Sequence, residues 1–209
     1  PLQEGNFPFP VKYGYSAVGT VELGPKDLIK LEVFCLHPHQ DVFQAPAAMA
    51  IPLPEGLPPR RATLAANMET ALNALWDSGA GPADRITVVG AGIVGLLVAY
   101  LAARLPGAEV TVIDPVADRR SLVELFGAQF ATPIAAASPS SSRGADRGGG
   151  KQLGGARMLP ADVVFHTSAR EPGLATAIAA AGFEATIVEM SWYGDKHIAV
   201  PLGGPFHSQ

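Results

Sequence analysis

The chain has 209 residues, enough for one large domain or one domain with part of another, and its 48% hydrophobic and 16% charged residues are the profile of a globular protein rather than a disordered one. A net charge of −4 excludes an electrostatic case for nucleic acid or an anionic membrane. The single cysteine, Cys35, excludes an internal disulfide framework, and with no signal peptide and no apolar run long enough to cross a bilayer the expected location is the cytoplasm.

The chain opens at Pro1 without methionine and stops at Gln209 without completing an element, which reads as a stretch of a longer protein. Residues 7–57 are punctuated by proline and glycine. Alternating apolar and β-branched residues predict strands at Tyr15–Leu23 and Leu28–Leu36. At Arg60 the texture changes: Leu64, Met68, Leu72, Leu75 and Trp76 recur at helical spacing and predict one helix over 60–77. A strand at Ile86–Val89, a glycine turn, a helix over 93–104 and a strand at Val110–Ile113 follow. Beyond these, the pattern predicts a helix over 116–126, strands at Gln129–Pro133 and Val163–Phe165, a helix at Gly173–Ala181 and a strand at Thr186–Met190. Strands alternating with helices imply parallel βαβ units closing into a doubly wound α/β sheet of the Rossmann type. Five strands are one fewer than the usual six, and the sixth is expected beyond Gln209. The boundaries expected are a β-rich segment at 1–59 and a nucleotide-binding domain at 60–209. Within the second, the Ser/Gly/Arg-rich stretch 138–155 is expected to be a flexible surface loop.

The chemistry lies in ITVVGAGIVGLLVAY at 86–100. Gly90, Gly92 and Gly95 match G-x-G-x-x-G. The first permits the strand-to-helix turn, the second lets a pyrophosphate approach the backbone, and the third allows helix and strand to pack closely. The amides near Ile93 and Val94 would hold the phosphates at the helix start. Asp114, at the end of the next strand, can accept hydrogen bonds from both hydroxyls of the adenosine ribose and would repel a 2′-phosphate. NAD is therefore expected over NADP, although Arg119 and Arg120 offer a phosphate partner.

On these residues the chain resembles the medium-chain, zinc-type alcohol dehydrogenase superfamily. FPVKYGYSAVGTV at 9–21, Thr70 in ANMETALNAL, ADRRSLVELFGA at 117–128 and DVVFHTSAREPGLATAIAAAG at 162–182 carry the resemblance, which covers almost the whole chain. It implies part of a β-rich, GroES-like catalytic domain before the Rossmann domain, an alcohol or carbonyl substrate, and a homodimer or homotetramer in the full-length protein. It also implies that Thr167, Ser168 and Met190 flank the nicotinamide. The family's zinc-binding histidine falls at Tyr15 and its acidic neighbour at Ser16; a phenol must ionise before it can bind zinc, so a catalytic zinc is not expected. Tyr15 is instead a candidate acid/base or orienting group, set against simple packing in the domain interface.

Cys35, His37, His39 and Asp41 would share one face of an extended strand as metal-competent donors, but Pro38 interrupts that strand, and a buried cysteine with surface histidines is the plainer reading. His166 is expected to be a hydrogen-bonded core histidine. Trp192 and Tyr193 would line the substrate cleft or cap the sheet. The function expected is hydride transfer between nicotinamide and an alcohol or carbonyl; the alternative is a nucleotide-binding structural or sensing module without turnover.

Overall fold

Proline and glycine break the first third of the chain into short pieces. In the computed structural model, which describes residues 4–5, 11–133, 151–153, 156–200, 202–203 and 205–208, these pieces are β1 (Glu4–Gly5), β2 (Val11–Lys12), β3 (Ala17–Thr20), β4 (Glu32–Cys35) and β5 (Ile51–Pro52). β1 and β2 pair antiparallel, and β3, β4 and β5 form a three-stranded antiparallel sheet. The strand expected from Leu28 begins only at Glu32. Pro25 starts a turn whose carbonyl accepts from Leu28 and Ile29, and Lys30 then adopts a left-handed conformation, φ 67°. This leaves residues 28–31 outside the ladder.

The helix expected over 60–77 is two helices, α1 (Pro59–Ala62) and α2 (Ala65–Ser78). The Thr63 hydroxyl donates to the Arg60 carbonyl at 2.7 Å and Leu64 N–H closes a tight turn on Arg61, so the helical ladder stops between them.

The chain folds as two compact units, one ending at Ala66 and the other beginning at Asn67. The second is built on β6 (Arg85–Val89), α3 (Ile93–Ala102), β7 (Glu109–Ile113), α4 (Arg120–Leu125, after a 3₁₀ turn at Ala117–Arg119) and β8 (Gln129–Ala131). Further on come β9 (Lys151–Leu153), β10 (Ala156–Met158), β11 (Ala161–His166), α5 (Glu171–Ala180), β12 (Ala181–Glu189) and α6 (Pro205–Ser208). Most of the 138–155 stretch lies outside the described residues. Within it Lys151–Leu153 is a strand, paired antiparallel with Ala156–Met158.

Five strands make one parallel sheet in the order β12-β11-β6-β7-β8. The doubly wound α/β arrangement follows from side-chain alternation along the strands. Ile86, Val88, Val110, Val112, Val163 and Phe165 turn to one face and pack with Ala71 and Ala74 of α2, Val98, Ala99 and Ala102 of α3 and Val123 of α4. Val89, Ile113 and Val164 face the other way, onto Ala177 and Ala180 of α5. At the amino end of the sheet Arg85 forks onto Asp162 at 2.9 and 3.2 Å, tying β6 to β11. That bond, with the Arg85 N–H, holds the Asp162 carboxyl below its ordinary range. The opposite, carboxyl end of the sheet carries the glycine turn.

Candidate functional site

Four consecutive buried residues drive β6 into the middle of the sheet, and the chain must then reverse within a few residues to start α3. Gly90 makes the reversal at φ 109°, a backbone conformation disfavoured for L side chains. A Cβ there would also lie 2.9 Å from Thr167 Oγ1 and 3.0 Å from the Ser168 backbone. Gly95, one turn into α3, is required for a different reason: a Cβ would run into the Gly90 carbonyl. Gly92 is unlike both. It caps α3 at φ −71°, and a Cβ on it would meet no atom of the described residues within 4 Å. Neither strain nor packing demands glycine there, so the space above it is free for a ligand. No side chain caps α3, so the first-turn amides at Ile93 and Val94 point their N–H groups toward that space with the positive end of the helix dipole. Ile93 is exposed and Val94 half-buried.

Asp114 follows β7, 6% exposed. Its Oδ2 accepts the Ala91 N–H at 2.7 Å and its Oδ1 accepts the Val116 N–H at 2.8 Å. The side chain thus pins the glycine turn to the end of the neighbouring strand, a structural duty that the motif alone does not reveal. Each carboxylate oxygen has a second lone pair, so the acceptor role toward ribose hydroxyls stays open. Arg119 donates to the Ala91 carbonyl and stands 3.6 Å from Asp114 Oδ2, with its side chain 41% exposed.

Across the turn, Thr167 N–H donates to the Val89 carbonyl at 2.9 Å and its hydroxyl lies 2.9 Å from the Gly90 carbonyl. The Thr167 hydroxyl proton is therefore spent on the turn. Ser168 follows it, half-buried. Met190 donates its N–H to the His166 carbonyl at 2.9 Å and packs against the core. Gly90, Gly92, Ile93, Val94, Gly95, Asp114, Arg119, Thr167, Ser168 and Met190 thus gather at the carboxyl ends of β6, β7, β11 and β12, where open α/β sheets bind ligands. Tyr15 belongs to the other unit, just ahead of β3 and 48% exposed.

Glu189 and Ser191, which the sequence did not single out, join His166 and Tyr193 at this end of the sheet. His166 is fully buried, with Nδ1 2.7 Å from Glu189 Oε2 and Nε2 2.7 Å from Ser168 Oγ. Ser191 N–H donates to Glu189 Oε1 at 2.8 Å, and Tyr193 O–H donates to Glu189 Oε2 at 3.3 Å. Burial pushes the Glu189 carboxyl up, but the hydrogen bonds from His166 and Ser191 outweigh it and bring the group below its ordinary value. Burial and the neighbouring Glu189 charge push the Tyr193 phenol up. Trp192 beside it is 86% exposed. The expectation of a hydrogen-bonded core His166 holds. Its partner could have been read from register, since His166 and Glu189 end adjacent parallel strands side by side.

The donors around Cys35 do not converge. Cys35 is buried at the end of β4 and burial raises its thiol; His37 stacks on Phe43 at 3.8 Å and bonds the Pro38 carbonyl; the His39 ring lies against Gly14. Among the described residues no three His, Cys, Asp or Glu side chains gather as a metal site, and Tyr15 and Ser16 are poor donors for zinc. A resident zinc does not fit these residues. No helix among the described residues is long and apolar enough to cross a membrane.

A family model, alanine dehydrogenase/PNT, C-terminal domain, matches residues 68–181. Solved structures share the fold. Alcohol dehydrogenase TADH from Thermus sp. ATN1 superposes with a TM-score of 0.65 at 19% identity, over 93% of this chain and 65% of that one. A short chain alcohol dehydrogenase, rspB, from E. coli CFT073, complexed with NADH, gives 0.66 at 15% identity, over 90% and 64%. The yhdH oxidoreductase from Salmonella enterica in complex with NADP gives 0.62 at 20% identity, over 92% and 60%. The chain spans less than two thirds of each of these structures. The fold expected from the resemblance is therefore the fold these dehydrogenases have. The family model covers more than half of the chain, and the protein belongs to the alanine dehydrogenase/PNT C-terminal domain family.

Proposed function

We propose that the chain binds a nicotinamide dinucleotide at the carboxyl end of its parallel sheet, as the cofactor half of an oxidoreductase acting on an alcohol or carbonyl compound. The observation that carries this is Gly92, a glycine that neither backbone strain nor packing requires, set over uncapped helix amides. The Ile93 and Val94 amides would take the pyrophosphate, Asp114 and Arg119 the adenosine ribose, and Ser168 and Met190 the other half of the cofactor. When bound, the dinucleotide supplies a hydride donor or acceptor. The protein's own part is to hold it, through a turn fixed by Asp114 and Thr167. Because Asp114 presents negative charge at the ribose, NADH is favoured over NADPH; Arg119, already engaged by Asp114 and Ala91, offers a 2′-phosphate only partial compensation.

Titration of the full-length protein with NADH and NADPH, followed by cofactor fluorescence, tests this: saturable binding is expected, tighter for NADH. No binding of either overturns it. A second reading, a nucleotide-binding module without turnover, draws on Tyr15 and Ser16 standing where the resemblance places a metal ligand and its acidic neighbour. Turnover of any secondary alcohol or polyol by the full-length protein at ordinary enzymatic rates removes that reading.

A further inference from the structure

The chain Ser168–His166–Glu189 has a direction. A carboxylate only accepts hydrogen bonds, so His166 Nδ1, 2.7 Å from Glu189 Oε2, must carry a proton. In the neutral imidazole Nε2 is then a lone pair, and the Ser168 hydroxyl, 2.7 Å away, must donate to it. That leaves the Ser168 oxygen with lone pairs and no proton for anything else. The arrangement is fitted to this bond: a Cβ on Gly173 would collide with Ser168 Oγ and lie 2.7 Å from His166 Nε2. It is also locked at the far end. Ser191 N–H and Tyr193 O–H both donate to Glu189, and Ala169 N–H donates to Ser191 Oγ at 3.0 Å. Glu189 stays ionised at neutral pH because these bonds outweigh its burial.

The sheet order places this chain relative to the turn. Asp114 lies after β7 on one flank of β6, and Ser168 lies after β11 on the other, its backbone 3.0 Å from the Cβ position of Gly90. An adenosine held at Asp114 and a pyrophosphate held over Gly92 put the nicotinamide half beside Ser168.

We propose that His166 and Glu189 are positioning residues that hold Ser168 as an obligatory hydrogen-bond acceptor, so that it takes a ribose hydroxyl or carboxamide N–H of the nicotinamide half and not a phosphate oxygen. The proposal rests on the dinucleotide reading above. Two acceptors facing each other repel, so the same polarity keeps the pyrophosphate on the α3 side of the turn.

Glu189→Gln tests it with almost no change of shape. Ser191 N–H still needs an acceptor at the Oε1 position, so the new amide turns its carbonyl there and its NH₂ toward His166 Nδ1. The proton then sits on Nε2, donates to Ser168 Oγ, and frees the Ser168 proton to point outward. Nitrogen-15 NMR of the full-length protein at about pH 8 should show His166 protonated on Nδ1 alone in the wild type and on Nε2 alone in Glu189→Gln. NADH affinity should fall roughly tenfold in Glu189→Gln and in Ser168→Ala, the size of one hydrogen bond to a partner left unmatched. The double variant should lose no more than either alone, and 5′-AMP affinity should not change in any of them. An Nε2-protonated His166 in the wild type, which needs no variant, overturns the proposal. So does NADH binding by Glu189→Gln as tight as wild type, or equal losses for NADH and 5′-AMP. A wild type that binds neither NADH nor 5′-AMP instead refutes the dinucleotide reading beneath it.

Discussion

The three glycines of the turn share a motif but differ in what each one answers to, and the difference is measurable. Gly95→Ala sets a methyl group against the Gly90 carbonyl and should cost about 1–3 kcal/mol in chemical denaturation, with loss of NADH binding. Gly92→Ala meets none of the described residues and keeps an ordinary φ, so its stability should stay within about 0.5 kcal/mol of wild type while NADH affinity falls. Equal stability losses for the two would show that Gly92 is structural after all. Glu189 gives a pH signature of its own. Its folded carboxyl titrates below its unfolded value, so its contribution is complete above the ordinary carboxylate pKa of about 4.3 and is lost as the pH falls through the folded value. Acid unfolding of Glu189→Gln should accordingly show a shallower fall of stability below pH 5 than wild type.

Gly90, Gly92, Gly95 and Asp114 were legible in the sequence because each answers to a local rule: a tight turn, an open approach, a close packing, a strand end. The second duty of Asp114, accepting two backbone amides, was not legible, because it depends on where Ala91 comes to lie across the turn. The Glu189 partnership with His166 answers to strand register and not to a local rule. The two are 23 residues apart, and only the parallel register sets them side by side.

Among the elements, the β-branched runs of β6, β7 and β11 could be read to within a residue or two, since burial on both faces leaves little freedom in composition. Short elements were misplaced wherever a single hydrogen bond or one left-handed residue decided the boundary. Thr63 divides one apolar helical pattern into α1 and α2, and Lys30 delays β4 until Glu32. In the same way β9 and β10 were obscured by the polar composition around Lys151–Leu153, although the Gly154-Gly155 pair between the two runs is a hairpin signature. Lys30 is the cleanest position for a test. A lysine at φ 67° carries a steric penalty that glycine does not, so Lys30→Gly should raise stability by about 0.5–1 kcal/mol in thermal or urea unfolding, and Lys30→Val should lower it.

At the level of the whole molecule, the candidate cofactor site lies entirely within the unit that begins at Asn67. Binding should therefore stabilise one part of the chain selectively. With NADH at a hundredfold excess over its Kd, amide exchange in β6, β7, β11 and α3 should slow by up to the equivalent of about 2.7 kcal/mol. The amides of β3, β4 and β5 should exchange as before, and uniform protection across both sets would show that the two units respond as one.

The order of the strands has a bearing on synthesis. β6 is the central strand, yet one of its neighbours, β7, begins 20 residues after β6 ends, while the other, β11, begins 72 residues after it. As the chain leaves the ribosome, β6 can pair on one side early and must wait on the other, with its remaining amides and carbonyls open to any extended strand nearby. Nascent chains arrested before Ala161 should accordingly be dependent on chaperones and prone to self-association. Those that extend past β12 should not.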